Sequence, residues 1–141
     1  EKIKKPILEQ ERAHIQKKDI TILIAEDNPS NFKFMNAVLK KEYNILHAWD
    51  GQEAVELYKA HKPHLILMDI NMPILDGYGA KDGIRNLSPD VPIIAVTAYA
   101  FASDEQEILK SGFDGYIAKP INPTPLYRKI EEMLAARLQI S

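Results

Sequence analysis

The chain has 141 residues, of which 45% are hydrophobic, a formal net charge of −2 and no cysteine. This length suits one domain with a hydrophobic core. The absence of cysteine excludes disulfide frameworks and cysteine-based zinc sites. The near-neutral charge does not support binding of nucleic acid, which needs clustered Lys and Arg, and no apolar run approaches the ~20 residues that cross a bilayer. We therefore expect no contact of this domain with nucleic acid or membrane.

The first 19 residues differ in composition from the rest of the chain. Lys and Arg outnumber Asp and Glu in this stretch, and Pro6 comes early. Such a run of charges usually forms a solvated face and not a binding patch. We interpret residues 1–19 as a linker, helical or disordered, in front of a domain at residues 20–138. Because the chain begins with Glu1 and not with Met, we expect it to be part of a longer protein.

Five short apolar runs punctuate the rest of the chain. They lie at residues 20–25, 44–48, 64–68, 91–96 and 115–118. Short aliphatic and β-branched runs that lack polar alternation are typical of strands buried on both faces of a parallel sheet. Segments with helical spacing separate the runs, so a strand–helix unit is repeated five times. This order predicts an open α/β sheet.

The helical segments carry recognisable start and stop signals. Asn28 is a cap-type residue, and Pro29 follows it at a position where Pro favours a helix start. Ser103 is predicted to cap the fourth helix because Gln106 lies three residues further on, as in a capping box, and Gly112 would end this helix. These signals predict the approximate starts of the first and fourth helices.

Polar side chains stand where four of the apolar runs end. Glu26 and Asp27 follow the first run, Asp69 follows the third, Thr97 follows the fourth and Lys119 follows the fifth. In open α/β sheets, ligands bind in the crevice beyond the carboxyl ends of the strands. These five residues are far apart in the sequence, and we expect them to converge in space.

Together the five residues supply three carboxylates, one hydroxyl and one ammonium group. Mg²⁺ prefers oxygen ligands and keeps several waters, so Asp27 and Asp69, with Glu26 beside them, could hold this ion. Three neighbouring acids repel one another, and a divalent cation or Lys119 would relieve the repulsion. A carboxylate surrounded by such groups can act as a phosphoryl acceptor. We predict Asp69 as the nucleophile because it ends the third strand, in the middle of the sheet.

Each of these residues alone also has an ordinary structural interpretation. An acid at a strand end is more often a helix cap or part of a salt bridge, and a lone Thr97 or Lys119 would be a strand or surface residue. Four such positions at equivalent strand ends are harder to explain by chance. Trp49 is interpreted as a packing residue. The histidines show no metal-ligand or catalytic-triad spacing and are interpreted as ordinary residues; they are His14, His47, His61 and His64.

With these residues in place, the chain resembles the receiver domain of two-component response regulators. The matching stretches are residues 22–28, 67–73 followed by Asp76 and Gly77, 94–98, and 115–120, within a region of roughly residues 20–136. The resemblance implies a single (βα)5 doubly wound fold of flavodoxin-like type. Its parallel five-stranded sheet would have the strand order 2-1-3-4-5.

The resemblance also implies roles in phosphoryl transfer and metal binding. Asp69 would be the phosphoacceptor, which takes a phosphoryl group from a phosphohistidine and becomes a 4-aspartylphosphate. Glu26, Asp27 and Asp69 would hold Mg²⁺ together with the backbone carbonyl of Asn71. Domains of this family catalyse their own phosphorylation and dephosphorylation, so the classification of the chain as an enzyme stays open.

Further positions would carry the response to phosphorylation. Thr97 and Lys119 would bind phosphoryl oxygens, and Tyr116 would turn inward into the space that Thr97 leaves. The face formed by the last two helices and the fifth strand would then change, and we expect partners or a homodimer there. A cis peptide bond is expected before Pro120. Beside the site, Tyr99 could shield the acyl phosphate from water.

Several parent proteins are compatible with this interpretation. We expect the C-terminal receiver of a hybrid histidine kinase, with a stand-alone regulator and a DNA-binding regulator as alternatives. The donor would be a histidine kinase or a histidine phosphotransfer domain. The domain would be cytoplasmic, in a parent that could be anchored in the inner membrane. Two other classes are a pseudo-receiver that only binds proteins, and a haloacid-dehalogenase-like phosphatase, which would need an Asp where Asn71 stands.

Overall fold

The computed structural model describes residues 15–98 and 102–138. Within these residues, five parallel strands form one sheet in the order β2-β1-β3-β4-β5. The strands are β1 (Thr21–Ala25), β2 (Asn44–Ala48), β3 (Leu65–Asp69), β4 (Ile93–Thr97) and β5 (Gly115–Ala118). The helices are α1 (Pro29–Leu39), α2 (Gly51–His61), α3 (Gly77–Leu87), α4 (Ala102–Lys110) and α5 (Pro123–Ala135). This architecture confirms the predicted doubly wound, flavodoxin-like sheet and its strand order.

The two faces of the sheet form two separate hydrophobic clusters. Because successive strand residues point to opposite faces, Leu23 belongs to the cluster under α2, α3 and α4, whereas Ile24 belongs to the cluster under α1 and α5. All five residues of both β3 and β4 are buried. These strands are covered on both faces, which explains why their sequences are apolar runs without alternation.

Side-chain caps set the start of three helices at the carboxyl edge of the sheet. Asn28 Oδ1 accepts a hydrogen bond from the backbone N–H of Asn31 at 2.9 Å, and Asp76 Oδ1 accepts one from Gly79 at 2.9 Å. Asp50 caps α2 in the same way. Caps of this kind satisfy backbone donors that the first helical turn leaves free. The predicted cap Ser103 is wrong, since α4 already begins at Ala102 and Ser103 lies inside the helix.

The described part of the N-terminal stretch packs against the amino edge of the sheet. Lys17–Asp19 form a single 3-10 turn. Lys17 Nζ lies 2.9 Å from Glu42 Oε1, before β2, and 2.8 Å from Glu131 Oε2 on α5. Residues 1–14 of the predicted linker lie outside the described residues.

None of the helices within residues 15–98 and 102–138 has the length and apolar character that spanning a membrane requires.

Candidate functional site

The register of the sheet brings the ends of the inner strands together. Asp69 on β3 pairs with Val96 on β4, and Thr97 pairs with Ala118 on β5. The backbone N–H of Lys119 extends the last ladder by donating to Thr97 O at 2.7 Å. Parallel strands that end level with one another present their last side chains on one edge. The predicted site residues from these strands therefore share the carboxyl edge.

Three acidic residues form a compact cluster at this edge. One carboxylate oxygen from each of Glu26, Asp27 and Asp69 lies within 4.8 Å of the other two. Glu26 is fully buried and Asp69 is 4% exposed, whereas Asp27 is exposed. The cluster thus has two buried carboxylates at its base and one at its solvent-facing side.

Lys119 is the cation that faces this acidic cluster. Its Nζ lies 3.5 Å from Glu26 Oε1 and 3.5 Å from Asp69 Oδ1. The side chain is 23% exposed, so solvent only partly screens the two pairs. One ammonium group cannot balance three carboxylates. The Lys119–Pro120 peptide bond is cis, as the family resemblance implies.

Backbone amides orient the two buried carboxylates. The N–H of Asn28 donates to Glu26 Oε2 at 3.1 Å, and the N–H of Asn71 donates to Asp69 Oδ1 at 3.3 Å. Glu26 Oε1 is buried and accepts no hydrogen bond within the described residues. A buried acceptor without a donor is costly, so this oxygen is available for a ligand.

Burial and nearby charges perturb the ionisation of both buried carboxyls. Loss of hydration, followed by the nearby charge of Asp69, raises the pKa of Glu26 to about 7. Burial also raises the pKa of Asp69, and the charge of Lys119 opposes this shift. The raised pKa values favour the neutral forms of both acids unless a further cation binds. Three oxygen ligands with this excess of negative charge fit a hard divalent cation.

The other predicted site residues, Thr97, Asn71 and Tyr116, lie in different settings. Thr97 is 1% exposed at the end of β4, and Asn71 is exposed in the β3–α3 loop. Tyr116 is half-buried on β5 and packs against the cluster under α2, α3 and α4. Tyr99, predicted to shield the site, lies outside the described residues.

A cavity of about 180 Å³ opens between the β3–α3 loop and α4. It brings together Thr97 and Asn71, two of the predicted site residues, but Tyr116 does not line it. Its lining consists of Ile70, Asn71, Tyr78, Thr97, Asp104, Glu107 and Ile108.

His47 contacts the site although its sequence context does not indicate this. Its Nε2 lies 2.9 Å from the backbone O of Glu26. Its ring stacks on Phe32 with centroids 3.6 Å apart and rings 2° from parallel, and Trp49 lies 4.1 Å away on a tilted ring plane. The spacing of the histidines could not reveal this contact, because it depends on β2 lying beside β1. A signal that could have found it is the position of His47 near the end of β2.

Comparisons with known sequences agree with this geometry. A family model described as the response regulator receiver domain matches residues 22–131. Hybrid signal transduction histidine kinase I from Dictyostelium discoideum is 40% identical over 128 residues, which cover 84% of this chain and 7% of that protein. The polar-differentiation response regulator DivK from Brucella anthropi is 34% identical, over 81% of this chain and 95% of its own length. The chain spans 7% to 47% of the first curated relatives that it matches.

Solved structures show the same fold. The receiver domain of the sensor histidine kinase PA1611 from Pseudomonas aeruginosa has 36% identity and a TM-score of 0.76, and covers 82% of this chain and 98% of its own. That structure has a magnesium ion coordinated in its active site cleft. The receiver domain of the Saccharomyces cerevisiae response regulator Ssk1, solved with the histidine phosphotransfer protein Ypd1, has 33% identity and a TM-score of 0.79, over 84% and 91% of the two chains.

Proposed function

The chain belongs to the family of response regulator receiver domains, and on this premise we propose that Asp69 accepts a phosphoryl group from a phosphohistidine. The acidic cluster carries this proposal. It joins a buried carboxylate at the end of β3 to two further acids and to Lys119, 3.5 Å away. These are the groups that phosphoryl transfer to a carboxylate requires.

The transfer is a direct displacement at phosphorus. A carboxylate oxygen of Asp69 forms a bond to phosphorus while the bond from phosphorus to the imidazole nitrogen of the donor breaks. The leaving imidazole keeps the electron pair and takes up a proton. Asp69 must be ionised to attack, and Lys119 favours this form because it lowers the pKa that burial raises. The ammonium group also meets the charge of the arriving phosphoryl oxygens.

Glu26, Asp27, Asp69 and the backbone carbonyl of Asn71 are the groups that would hold Mg²⁺. Glu26 Oε1, which accepts no hydrogen bond within the described residues, and the excess of negative charge in the cluster support this assignment. The magnesium ion in the cleft of the Pseudomonas aeruginosa relative supports it as well. When bound, Mg²⁺ neutralises charge on the carboxylates and on the transferred group.

The same phosphoryl group would switch the domain between two states. Thr97 and Lys119 bind its oxygens, and Tyr116 turns inward in response. The buried position of Thr97, at the edge of a cavity beside α4, is compatible with a small movement of its hydroxyl toward Asp69. The change reaches the face made of α4, β5 and α5, where a partner or a second copy of the domain would bind.

The donor in this proposal is a histidine kinase or a histidine phosphotransfer domain. The complex of the Saccharomyces cerevisiae relative with Ypd1 supports a partner of the second kind. The parent protein would be a hybrid histidine kinase, as the relative from Dictyostelium discoideum suggests. The full-length match to DivK is the observation that favours a stand-alone regulator as the second candidate.

Labelling with acetyl phosphate in Mg²⁺, read by intact mass, tests the acceptor. We expect one added phosphoryl group in the wild type and none in Asp69→Asn. The matched control is Asp76→Asn, because Asn is an equally good N-cap and this variant should be labelled like the wild type. A wild type that binds Mg²⁺ but is not labelled would favour a pure interaction module. Labelling of Asp69→Asn would move the acceptor to another residue.

A further inference from the structure

Both backbone polar groups of Glu26 are held by β2. The N–H of Glu26 donates to Ala48 O at 3.0 Å, which continues the β1–β2 ladder beyond the end of β1. The carbonyl of Glu26 meets His47 Nε2 at 2.9 Å. Since a carbonyl oxygen can only accept, the imidazole carries its hydrogen on Nε2.

The side chain of His47 supplies a donor that the β2 backbone does not. In a parallel ladder, the carbonyl of Glu26 would bond an amide further along the neighbouring strand. However, the amide in register with this carbonyl lies two residues beyond Ala48 and belongs to Asp50, which is outside β2 and is the N-cap of α2. Without His47, the backbone carbonyl of Glu26 would therefore lose its hydrogen bond to β2.

Aromatic stacking holds the imidazole ring in place. Phe32 on α1 lies parallel to the His47 ring at a centroid distance of 3.6 Å, and Trp49 covers it from the β2–α2 turn. Because the stack already restricts the rotamers of His47, the hydrogen bond costs little further side-chain entropy. The stack thus joins α1 to the β2–α2 turn through the His47 ring.

We propose that His47 is a positioning residue for the acidic cluster, and this inference rests on the proposed Mg²⁺ site. It fixes the backbone of Glu26 through the Nε2–H bond to the carbonyl. A fixed backbone keeps Glu26 Oε2 on the Asn28 amide at 3.1 Å and leaves Oε1 turned toward Lys119 and Asp69. Substitution of the groups that orient metal ligands typically lowers metal affinity by about 10- to 100-fold.

Two substitutions separate the hydrogen bond from the stack. His47→Phe keeps a ring for Phe32 and Trp49 but removes the donor. His47→Gln removes the ring but places an N–H at the same number of bonds from the backbone. The matched control is His64→Phe, because His64 also bonds the backbone of β1, accepting from Thr21 N at 3.1 Å, but at the opposite end of the strand.

Mg²⁺ affinity by calorimetry is the first measurement. We expect His47→Phe to bind Mg²⁺ about tenfold more weakly than the wild type. We expect His47→Gln to stay within about threefold of the wild type, because the donor is restored. The control His64→Phe should lose stability but keep its affinity. Equal affinity of wild type and His47→Phe would overturn the proposal, and a loss in His47→Gln with affinity kept in His47→Phe would assign the effect to the ring.

Hydrogen exchange of the Asn28 amide in metal-free protein is the second measurement. Because this amide donates to the Glu26 carboxylate, its exchange reports the position of that side chain without any metal or phosphate. We expect faster exchange in His47→Phe than in wild type or His64→Phe. Unchanged exchange in His47→Phe would overturn the proposal. A wild type that resists labelling by acetyl phosphate but shows these effects would contradict the proposed function and leave the role of His47 standing.

Discussion

The two edges of the sheet use the same kinds of charged residues in opposite ways. At the carboxyl edge, Lys119 faces Glu26 and Asp69 at 3.5 Å, and no direct hydrogen bond reaches Glu26 Oε1 in the described residues. At the amino edge, Asp114 Oδ2 accepts from Arg85 at 2.5 Å and from the N–H of Ile93 at 2.9 Å.

The charged residues of the amino edge stabilise the fold, whereas those of the carboxyl edge have an excess of negative charge that a cation can neutralise. The amino edge is paired within the protein, since Arg137 also reaches Asp114 and Lys17 bridges Glu42 and Glu131. The carboxyl edge keeps an excess of negative charge in a buried place, which costs stability until a cation arrives. Active sites commonly hold such perturbed groups.

The largest expected effect is the stabilisation of the carboxyl edge by Mg²⁺. An ion that binds only the folded domain should raise its free energy of unfolding by about 2.7 kcal/mol at a concentration of 100 times Kd. Urea unfolding with and without Mg²⁺ measures this. Asp27→Asn should reduce the gain, whereas Asp76→Asn, which keeps its cap, should retain it. An equal gain in Asp27→Asn would place the ion elsewhere.

The next effect concerns the paired amino edge. Asp114→Ala should lower the free energy of unfolding by about 2 kcal/mol, because it removes a charged hydrogen bond from Arg85 and leaves the amide of Ile93 without its acceptor. Chemical denaturation measures the loss. Glu56→Ala, an exposed carboxylate on α2, is the control and should change stability by less than about 0.5 kcal/mol. Similar losses in both variants would contradict the contrast between the edges.

Replacing one glutamate at each edge by glutamine compares how the free energy of unfolding depends on pH at the two edges. The pKa of Glu26 is raised from its usual value to about 7, so its contribution to stability is present at low pH and is lost as the pH rises through 7. In metal-free buffer, Glu26→Gln should therefore stabilise the domain at pH 8, on the order of 1 to 2 kcal/mol, and have little effect near pH 4.

The counterpart at the amino edge is Glu42→Gln. Hydrogen bonding to Lys17 lowers the pKa of Glu42, so the stabilisation by this pair is present at neutral pH and is lost as the pH falls through that lowered pKa. The substitution should therefore slightly destabilise the domain at pH 8, opposite in sign to Glu26→Gln. Urea unfolding between pH 4 and pH 8 measures both. Effects of the same sign at pH 8 would break the comparison.

A further small effect concerns the bridge made by Lys17. Its partners are 40% and 50% exposed, and exposed pairs contribute little, so Lys17→Gln should cost about 0.5 to 1 kcal/mol. High salt should reduce the difference because it screens the pairs. Lys18→Gln, with an exposed side chain next to it, is the control for thermal unfolding. A loss that is the same at low and high salt would show that charge is not its cause.

The strands could be predicted because burial on both faces requires a continuous run of apolar residues. The runs 64–68 and 91–96 were predicted for elements that the structure places at Leu65–Asp69 and Ile93–Thr97. The shifts of one or two residues reflect that apolar character does not mark where the ladder starts. Ser103 was mispredicted for a related reason, since a capping motif in the sequence does not say which residue leaves the helical conformation.

The sequence by itself determined the α/β class, the strand order implied by the family resemblance, and which polar residues follow which strand. These properties depend on local composition and on the order of elements along the chain. Only the tertiary structure decided that Lys119 lies equally close to the carboxylates of Glu26 and Asp69. It also decided that Glu26 Oε1 accepts no hydrogen bond within the described residues and that His47 donates one to the Glu26 carbonyl. Such contacts join residues from different strands and loops, so they follow from register and side-chain packing, which no local pattern encodes.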